Sequence, residues 1–368
     1  MSGILGIWVL VIVLSNIAAG QGTGDRDVAA RFAPVFHQAL GDDPRGDYIT
    51  NFDFDGDWRG DNNWQNAENR AYKLNGYIYY SVAETATHYF IHYAVFHARD
   101  YKGGEKKGVW LSQIIRQGAK LSSKDPTGLL AEATMAHEND MEGALVVVEK
   151  AGDKIVFVET VHHNEFSRYV SENSERPGDG AFRLDGSRVE LYIEPKGHGI
   201  EAFGTEHEKP EKGFLVYKFG GTAGVPEAAA DGTVEYDLVP LATSLWPKRR
   251  KAATNLTFGA YKDFGTVAID VLQGKNVVQK KVVVGMLATA FVGKIGGINM
   301  ARPPWGWFSK DHRSDPPGLW FFDPAKIVKR DYALPETFST AYVRLPFWAG
   351  SSQQSEAGTQ RSEIRSKK

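Results

Sequence analysis

The chain has 368 residues, of which 42% are hydrophobic, and this is enough for a sizeable core in one large domain or two small ones. Its formal net charge of −2 gives no electrostatic basis for binding nucleic acid, so no nucleic-acid partner is expected. Cysteine is absent, which excludes disulfides, thiolate zinc sites and a cysteine nucleophile, so any metal must be held by histidine, carboxylate, carbonyl or water ligands.

The N-terminus has the pattern of an export signal. An apolar run from Ile4 to Leu14 is interrupted only by Gly6 and precedes the small residues Ala18-Ala19-Gly20, as in the apolar region and cleavage site of a signal peptide. Residues 1–20 are therefore predicted to be a signal peptide, and the protein is expected to be secreted or located in the cell envelope. The alternative is an uncleaved anchor, but the run is shorter than the roughly 20 residues that a spanning helix needs.

The next segment, residues 25–40, has helical spacing, because Val28, Phe32, Val35 and Phe36 fall on one face of a helix. From Ala71 onward the chain alternates between turn signals and short runs of β-branched and aromatic residues, which are typical of strands. These runs cover residues 77–82, 88–96, 143–148, 155–161, 189–193 and 214–219.

This rhythm predicts a mainly β protein, namely an antiparallel β-sandwich of jelly-roll type with flanking helices. A single β-rich domain with insertions is expected over residues 26–349, and a polar, disordered tail over residues 350–368. The apolar stretch at 282–298 is interrupted by glycines and a lysine, and it is interpreted as buried core.

The strongest local signal is the sequence His137-Glu138-Asn139-Asp140-Met141-Glu142, which leads into an apolar strand. If the strand begins near Asp140, then Asp140 and Glu142 project to one face, and His137 can fold back toward them from the preceding loop. Two carboxylates on one face repel each other, and a divalent cation neutralises that repulsion. The alternative is a solvated acidic strand entrance with no ligand.

Other polar side chains capable of metal binding also follow apolar strands. Asp100 comes after the aromatic run at 88–96, the pair His162-His163 after the run at 155–161, and His198 lies between two glycines after the run at 189–193. Because the strand ends of one sheet can meet at one rim, His162, His163 and His198 are candidate neighbours of the site. Ordinary surface histidine is an equally good interpretation of His162 and His163.

Together these segments resemble the necrosis- and ethylene-inducing toxin-like family and the related fungal vacuolar-sorting-associated proteins. The Gly-His-Arg-His-Asp-Trp-Glu heptapeptide of the toxin-like family is similar to residues 136–142, which keep its His-x-x-Asp-x-Glu skeleton but have Met141 in place of Trp. Arg99-Asp100 resembles the family's upstream metal-binding aspartate, and residues 160–163 resemble a downstream strand end.

The resemblance implies a β-sandwich with flanking helices and a Ca²⁺- or Mg²⁺-type ion. Its ligands, partly through water, would be Asp100, His137, Asp140 and Glu142. Oxygen-rich ligands with few histidines also admit Mn²⁺ in preference to Zn²⁺. The disulfide of the family is impossible here, so the resemblance is applied to the fold and the metal site and not to toxin activity.

A second acidic cluster, Asp53, Asp55 and Asp57 around Gly56, has the oxygen-rich, bent pattern that suits Ca²⁺. It is not an EF-hand, because Trp64 stands where the bidentate glutamate belongs. The alternative is a turn in which the aspartates bond their own backbone. A weaker candidate is the segment 311–315.

Two functions fit these residues. The first is an exported, metal-binding, membrane-active protein whose metal organises a rim that recognises a glycan or lipid head group, with peripheral membrane contact. The second is a metal-dependent hydrolase of phosphoester or glycan substrates, with His137 or His198 as general acid or base. Redundant ligands without a free base favour binding, and a spare histidine beside a metal-bound water favours catalysis. No P-loop, Rossmann glycine pattern or Gly-x-Ser-x-Gly elbow is present in the sequence.

Overall fold

The computed structural model describes residues 23–101, 136–162, 165–210, 212–226, 232–295, 301–309, 312, 314–316 and 318–348. The predicted signal peptide, the predicted tail and His163 lie outside these residues. The described helices are α1 Thr23–Arg31, α2 Asn63–Glu68, α3 Leu319–Phe322 and α4 Pro324–Asp331. None of the described helices is long and apolar enough to cross a membrane.

Strands account for most of the regular structure in the described ranges. In chain order they are β1 Val35–Ala39, β2 Tyr77–Thr85, β3 His88–Asp100, β4 His137–Glu149, β5 Lys154–His162, β6 Glu165–Ser171, β7 Gly180–Phe182, β8 Leu184–Asp185, β9 Arg188–Ile193, β10 Ile200–Ala202, β11 Phe214–Phe219, β12 Gly232–Pro240, β13 Phe258–Asp263, β14 Thr266–Gln273, β15 Asn276–Val283, β16 Met286–Phe291 and β17 Tyr342–Arg344. The predicted mainly β class is therefore confirmed.

One large sheet has the strand order β10-β9-β1-β11-β12-β2-β3-β4-β5-β6-β7, with β8, β14, β15 and β17 attached to it. The sheet is mixed, because β1 with β9, β11 with β12, β12 with β2, and β6 with β7 pair in parallel. The sheet curls until β10 meets β5, where His162 Nδ1 lies 3.2 Å from Glu201 Oε1.

The predicted antiparallel jelly-roll sandwich is not confirmed. The connections between strands explain the difference. Neighbouring parallel strands need long crossover connections, and the strand that pairs in parallel with β2 is β12, which follows it only much later in the chain.

The N-terminal prediction of one helical segment over residues 25–40 is wrong in its second half. Helix α1 ends at Arg31, and residues from Val35 form β1 between β9 and β11. Pro34 explains the change, because proline lacks an amide hydrogen and disfavours helical geometry in the residue before it. Val35 and Phe36 are then buried as strand residues.

Two hydrophobic clusters pack against the opposite faces of the central strands. The first contains Phe96, Leu145, Phe291 and Trp320 and joins the sheet to the C-terminal segment. The second fills the inside of the curled sheet and contains Ile78, Tyr93, Val146, Leu191 and Tyr236. Because β3 and β4 contribute to both clusters, their side chains are fixed on both faces.

The stretch at 282–298 is only partly the buried core that its composition predicts. Leu287 and Phe291 are buried, but Val283 and Met286 are 75% and 50% exposed. These two residues flank Gly285, which has a φ of +68° and connects β15 to β16 at the outside of the fold. The exposed apolar residues stand where the chain passes from β15, which pairs with β14, to β16, which pairs with β13.

Candidate functional site

The candidate site lies where β3 and β4 pair. In this antiparallel register Asp100 stands opposite His137, and His97 stands opposite Asp140. His137 is thus the first residue of β4 and not part of the preceding loop as expected, because it continues the pairing with β3. The four predicted ligands Asp100, His137, Asp140 and Glu142 are all buried.

His137 has a defined orientation. Its Nδ1 lies 2.7 Å from the carbonyl oxygen of Asn139 and donates a hydrogen bond to it. Because a carbonyl oxygen can only accept, Nδ1 carries a proton, and Nε2 is the ring nitrogen left for another partner. Nε2 lies 3.5 Å from Asp100 Oδ2. Asp100 and His137 therefore present an oxygen and a nitrogen ligand atom to each other across the strand pair.

Asn139 introduces a kink between His137 and Asp140. It has a φ of +60°, the left-handed region that asparagine tolerates better than most residues. Its side-chain amide donates to the carbonyls of Gly60 at 2.8 Å and Val292 at 2.7 Å. The strict alternation of strand side chains is interrupted at this residue. Asp140 and Glu142 lie beyond it at alternate positions and share one face of β4.

His198 is fully buried and lies between two carboxylates. Its Nδ1 is 2.9 Å from Asp140 Oδ2, and its Nε2 is 3.3 Å from Asp47 Oδ1. Burial alone would lower the pKa of His198, but the hydrogen bonds and charges of Asp140 and Asp47 outweigh it and raise the pKa to about 10. At neutral pH His198 is therefore an imidazolium that donates from both ring nitrogens and fixes the Asp140 carboxylate.

Asp47 is a site residue that sequence reasoning missed. It accepts hydrogen bonds from Tyr101 Oη at 2.6 Å and from the backbone amides of Gly41 at 2.7 Å and Lys196 at 2.8 Å. In the sequence it belongs to a turn-rich acidic stretch that contains several other aspartates, and no spacing separates it from them. Its role follows from tertiary contacts alone.

His97 and Gln38 complete the surroundings of His198. The rings of His97 and His198 stack with centroids 3.7 Å apart and planes 7° apart. His97 Nε2 donates to Gln38 Oε1 at 2.9 Å. Burial, and after it the charge of His198, lowers the pKa of His97 well below its ordinary value, so His97 is neutral. A neutral imidazole thus lies flat on a charged one.

Glu138, between the predicted ligands, has a structural role. Its carboxylate accepts hydrogen bonds from the backbone amides of Trp64 at 2.9 Å and Lys294 at 2.7 Å. Across the described part of the chain, no three His, Asp and Glu side chains converge at the spacing of a metal's ligand shell. The single coordination sphere of Asp100, His137, Asp140 and Glu142 stays a prediction.

A half-exposed rim adjoins the buried cluster. His162 packs against Gly199, the neighbour of His198, and its ring nitrogens lie 3.6 Å from Glu194 Oε2 and 3.2 Å from Glu201 Oε1. Glu201 Oε2 also lies 3.4 Å from His207 Nε2. We call His162, Glu194, Glu201 and His207 the rim. Burial lowers the pKa of His162, but its acidic neighbours outweigh it and raise the pKa.

The second acidic cluster has the hydrogen bonds of a turn. Asp55 Oδ1 accepts from the amide of Asp57, and Asp57 Oδ1 accepts from the amide of Arg59 at 2.7 Å. Asp53 accepts from the side chain of Asn51 at 2.7 Å. These bonds are those of the turn considered as the alternative for Asp53, Asp55 and Asp57, while Ca²⁺ binding there stays a prediction. From the weaker segment at 311–315, Asp315 accepts from Arg330 at 2.6 Å.

No family model matches the chain, and a comparison with curated proteins finds no match. Among solved structures, the chain is similar to one described as a toxin fold for microbial attack and plant defense, with 12% identity and a TM-score of 0.28, over 58% of this chain and 72% of the other. It is similar to NLPPya in complex with mannosamine, with 14% identity and a TM-score of 0.28, over 48% of this chain and 65% of that one.

A third similar structure is necrosis and ethylene inducing protein 2 from the causal agent of cocoa's witches' broom disease. It has 15% identity and a TM-score of 0.26, over 48% of this chain and 67% of that one. Structures of the necrosis- and ethylene-inducing type are thus neighbours of this chain at low identity and low TM-score, and at these values they carry no argument about its activity or ligand. The resemblance to vacuolar-sorting-associated proteins has no counterpart among these three structures.

Proposed function

We propose that this protein binds a divalent cation, Ca²⁺, Mg²⁺ or Mn²⁺, through Asp100, His137, Asp140 and Glu142, and that the adjoining rim recognises a glycan or lipid head group outside the cell. The observation that carries the proposal is the orientation of His137. Its Nδ1 donates to the Asn139 carbonyl, which leaves Nε2 directed at Asp100 Oδ2 at 3.5 Å. Metal-binding histidines are typically oriented by such a hydrogen bond from the other ring nitrogen.

The surroundings of Asp140 support the same proposal. Carboxylates that bind metals are themselves usually held by outer hydrogen bonds, and His198 provides one to Asp140 at 2.9 Å. Backbone strain is also concentrated here. Asn139, Lys196 and His198 are three of the six non-glycine residues with positive φ in the described part of the chain. Such conformations cost energy and tend to persist at ligand sites.

The bound ion would supply a positive charge that attracts hydroxyl or phosphate oxygens. The rim would supply hydrogen bonds to the rest of the head group, because its carboxylates and imidazoles are partly exposed. Next to it the Tyr192 ring stacks on His207, with centroids 4.0 Å apart. A polar rim beside a flat ring is a surface on which a sugar can lie.

Peripheral membrane contact has a separate support in the β14–β15 hairpin. Val277 and Val283 are 61% and 75% exposed, and Lys280 and Lys281 are exposed between them on β15. Exposed apolar side chains beside lysines suit an anionic membrane surface, since the valines contact the acyl boundary and the lysines contact the head groups.

The hydrolase alternative has less support. His198 is fully buried, both of its ring nitrogens donate to carboxylates, and its raised pKa keeps it protonated at neutral pH, so it is not a general base. His137 has its Nδ1 committed to the Asn139 carbonyl and its Nε2 directed at Asp100. Neither histidine is available to move a proton to or from a substrate in this arrangement.

The test is calorimetric titration of the purified protein with Ca²⁺, Mg²⁺ and Mn²⁺. We expect one site that is lost in Glu142→Gln and Asp100→Asn and retained in Asp55→Asn, which isolates the second acidic cluster. Absence of binding for all three ions, or unchanged binding in Glu142→Gln and Asp100→Asn, would contradict the proposal. Glycan arrays and vesicle sedimentation, each with and without chelator, then separate a glycan from a lipid head group.

A further inference from the structure

A cavity of about 620 Å³ lies on the side of the sheet opposite the inside of the curl, between β6, β13 and the C-terminal segment. Its size falls within the range of small-molecule sites. Four aromatic side chains line it, namely Phe166, Trp307, Phe308 and Trp320. No residue of the rim or of the predicted metal ligand set lines it, so this is a site separate from the one discussed above.

The two indoles of the cavity are fixed by their only polar atoms. Trp307 Nε1 donates to the carbonyl of Met141 at 3.0 Å, and Trp320 Nε1 donates to Glu159 Oε2 at 2.6 Å. The two rings lie with centroids 5.4 Å apart. Because both N–H groups are committed to the sheet, the ring carbons form the cavity wall, and this wall is rigid and apolar.

The charged part of the lining is mainly basic. It contains Arg168, Lys262, Arg302 and Arg330 against the acids Asp315 and Asp331. Both acids bind Arg330 at 2.6 Å, and Arg168 binds Asp179, which lies outside the lining, at 3.0 Å. Lys262 is exposed and forms no ion pair with a carboxylate in the described part of the chain. The cavity therefore combines aromatic carbon with the positive charge of Lys262.

We propose that this cavity binds a small organic anion in which a carboxylate is attached to a flat aromatic ring system. The ring would pack against Trp307 and Trp320, and the carboxylate would pair with Lys262, as a charge-assisted hydrogen bond favours. An organic cation is disfavoured by the basic lining. A neutral sugar is disfavoured because the carboxylates that would accept its hydroxyl groups are already bound to Arg330.

The experiment uses the full chain in the presence of a metal chelator, so that its outcome is independent of the proposed metal site. Binding of 2-naphthoate, 2-naphthalenemethanol and 2-naphthylmethylamine is measured by calorimetry. We expect 2-naphthoate to bind roughly tenfold or more tightly than either the alcohol or the amine, which corresponds to about 1.4 kcal/mol. Quenching of tryptophan fluorescence by 2-naphthoate should accompany the binding.

A charge reversal locates the site. Lys262→Glu is expected to weaken 2-naphthoate binding roughly tenfold, while Lys280→Glu on the exposed hairpin, which lies outside the lining, is expected to leave it unchanged. Thermal melting of both variants establishes that they fold. The proposal is overturned if 2-naphthoate does not bind at millimolar concentration, if the amine binds equally well, or if Lys262→Glu and Lys280→Glu have equal effects.

Discussion

Gly143 lies directly against the ring of Trp307. A Cβ atom added at Gly143 would fall 2.4 Å from Trp307 Cη2 and 2.6 Å from the carbonyl oxygen of Tyr93. Gly143 follows Glu142 on β4, and Trp307 lines the cavity. The absence of a side chain at Gly143 is therefore what lets the cavity wall approach the strand that carries the predicted metal ligands.

Gly143→Ala is expected to destabilise the protein by about 1–3 kcal/mol, because the added methyl group would clash with the indole of Trp307 and with the carbonyl of Tyr93, and one of these groups would have to move. Gly152→Ala is the matched control, since a Cβ there meets nothing within 4 Å, and its effect should be within about 0.5 kcal/mol. Urea denaturation of both variants measures the difference. Equal stabilities of the two variants would show that the contact with Trp307 is not tight.

His198→Ala is expected to cost about 3–5 kcal/mol, because it leaves the buried carboxylates of Asp47 and Asp140 without the cation that lies between them. His207→Ala on the partly exposed rim serves as the control, and it should cost no more than about 1 kcal/mol. The measurement is the free energy of unfolding in urea at neutral pH. A loss for His198→Ala as small as that of the control would mean that His198 is not the charge that balances the two aspartates.

Substitutions of Asn139 separate backbone strain from hydrogen bonding. Both Asn139→Gly and Asn139→Ala remove the amide bonds to Gly60 and Val292. Only alanine adds the cost of the left-handed conformation at a φ of +60°, so Asn139→Ala should be less stable than Asn139→Gly by about 1 kcal/mol. Thermal and urea denaturation of the pair give this difference directly, and a more stable alanine variant would contradict the left-handed geometry.

Glu159 should make stability depend on pH. Burial, and after it the charge of Asp331, raises the pKa of Glu159 from its ordinary 4.5 to about 8. Between these two pKa values the Glu159 carboxyl is protonated in the folded protein and ionised in the unfolded chain. The contribution of this proton to the free energy of unfolding is therefore fully present below pH 4.5 and is lost as pH rises through about 8.

Glu159→Gln keeps an acceptor for Trp320 Nε1 and removes this titration. Relative to the wild type, its free energy of unfolding should therefore rise between pH 5 and pH 8 by at least about 1 kcal/mol. Urea denaturation at the two pH values measures this change. Asp331→Asn is the companion variant, and it should reduce the pH dependence of the wild type without abolishing it, because it removes only the second cause of the raised pKa. Parallel stability curves for wild type and Glu159→Gln would refute the raised pKa.

If residues 1–20 are a signal peptide, the exported protein should have a new N-terminus. When the full chain is produced in a secreting host, N-terminal sequencing of the released or envelope fraction should begin near Gln21, after the small residues Ala18-Ala19-Gly20. Replacing Leu10 with Arg in the apolar run should retain the protein in the cytoplasm. Recovery of the intact Met1 terminus from the envelope would instead indicate the uncleaved anchor.

Local patterns predicted the strands well. The aromatic and β-branched runs at 77–82 and 88–96 correspond to β2 and β3, because such side chains suit a pleated, half-buried surface. The prediction of a helix over the whole of residues 25–40 was wrong, because it rested on apolar spacing alone and did not take account of Pro34. The parallel pairs were also out of reach, since nothing in the residues of β12 indicates that it will lie beside β2.

The candidate site shows the same contrast between local patterns, which the sequence reveals, and long-range contacts, which it does not. Asp140 and Glu142 were proposed as ligands from their own spacing, and His198 as their neighbour from its flanking glycines, and the structure places His198 against Asp140. Asp47, Gln38 and His97 were not found, because their roles depend on partners distant in the chain. Polar residues of this kind differ from surface residues only in being buried, and burial is decided by tertiary packing.

The contact between Asp47 and His198 joins positions 151 residues apart, and that between His198 and Asp140 joins positions 58 residues apart. Closing loops of this length costs chain entropy before any contact compensates for it, so long-range pairings form slowly and late. The hairpin of β2 and β3 can form early, whereas the triad of Asp47, Asp140 and His198 must await the return of β9 to β1. Refolding should therefore restore secondary structure before it restores the contacts of His198, and a truncated or nascent chain that lacks residue 198 lacks the counter-charge that allows Asp47 and Asp140 to be buried.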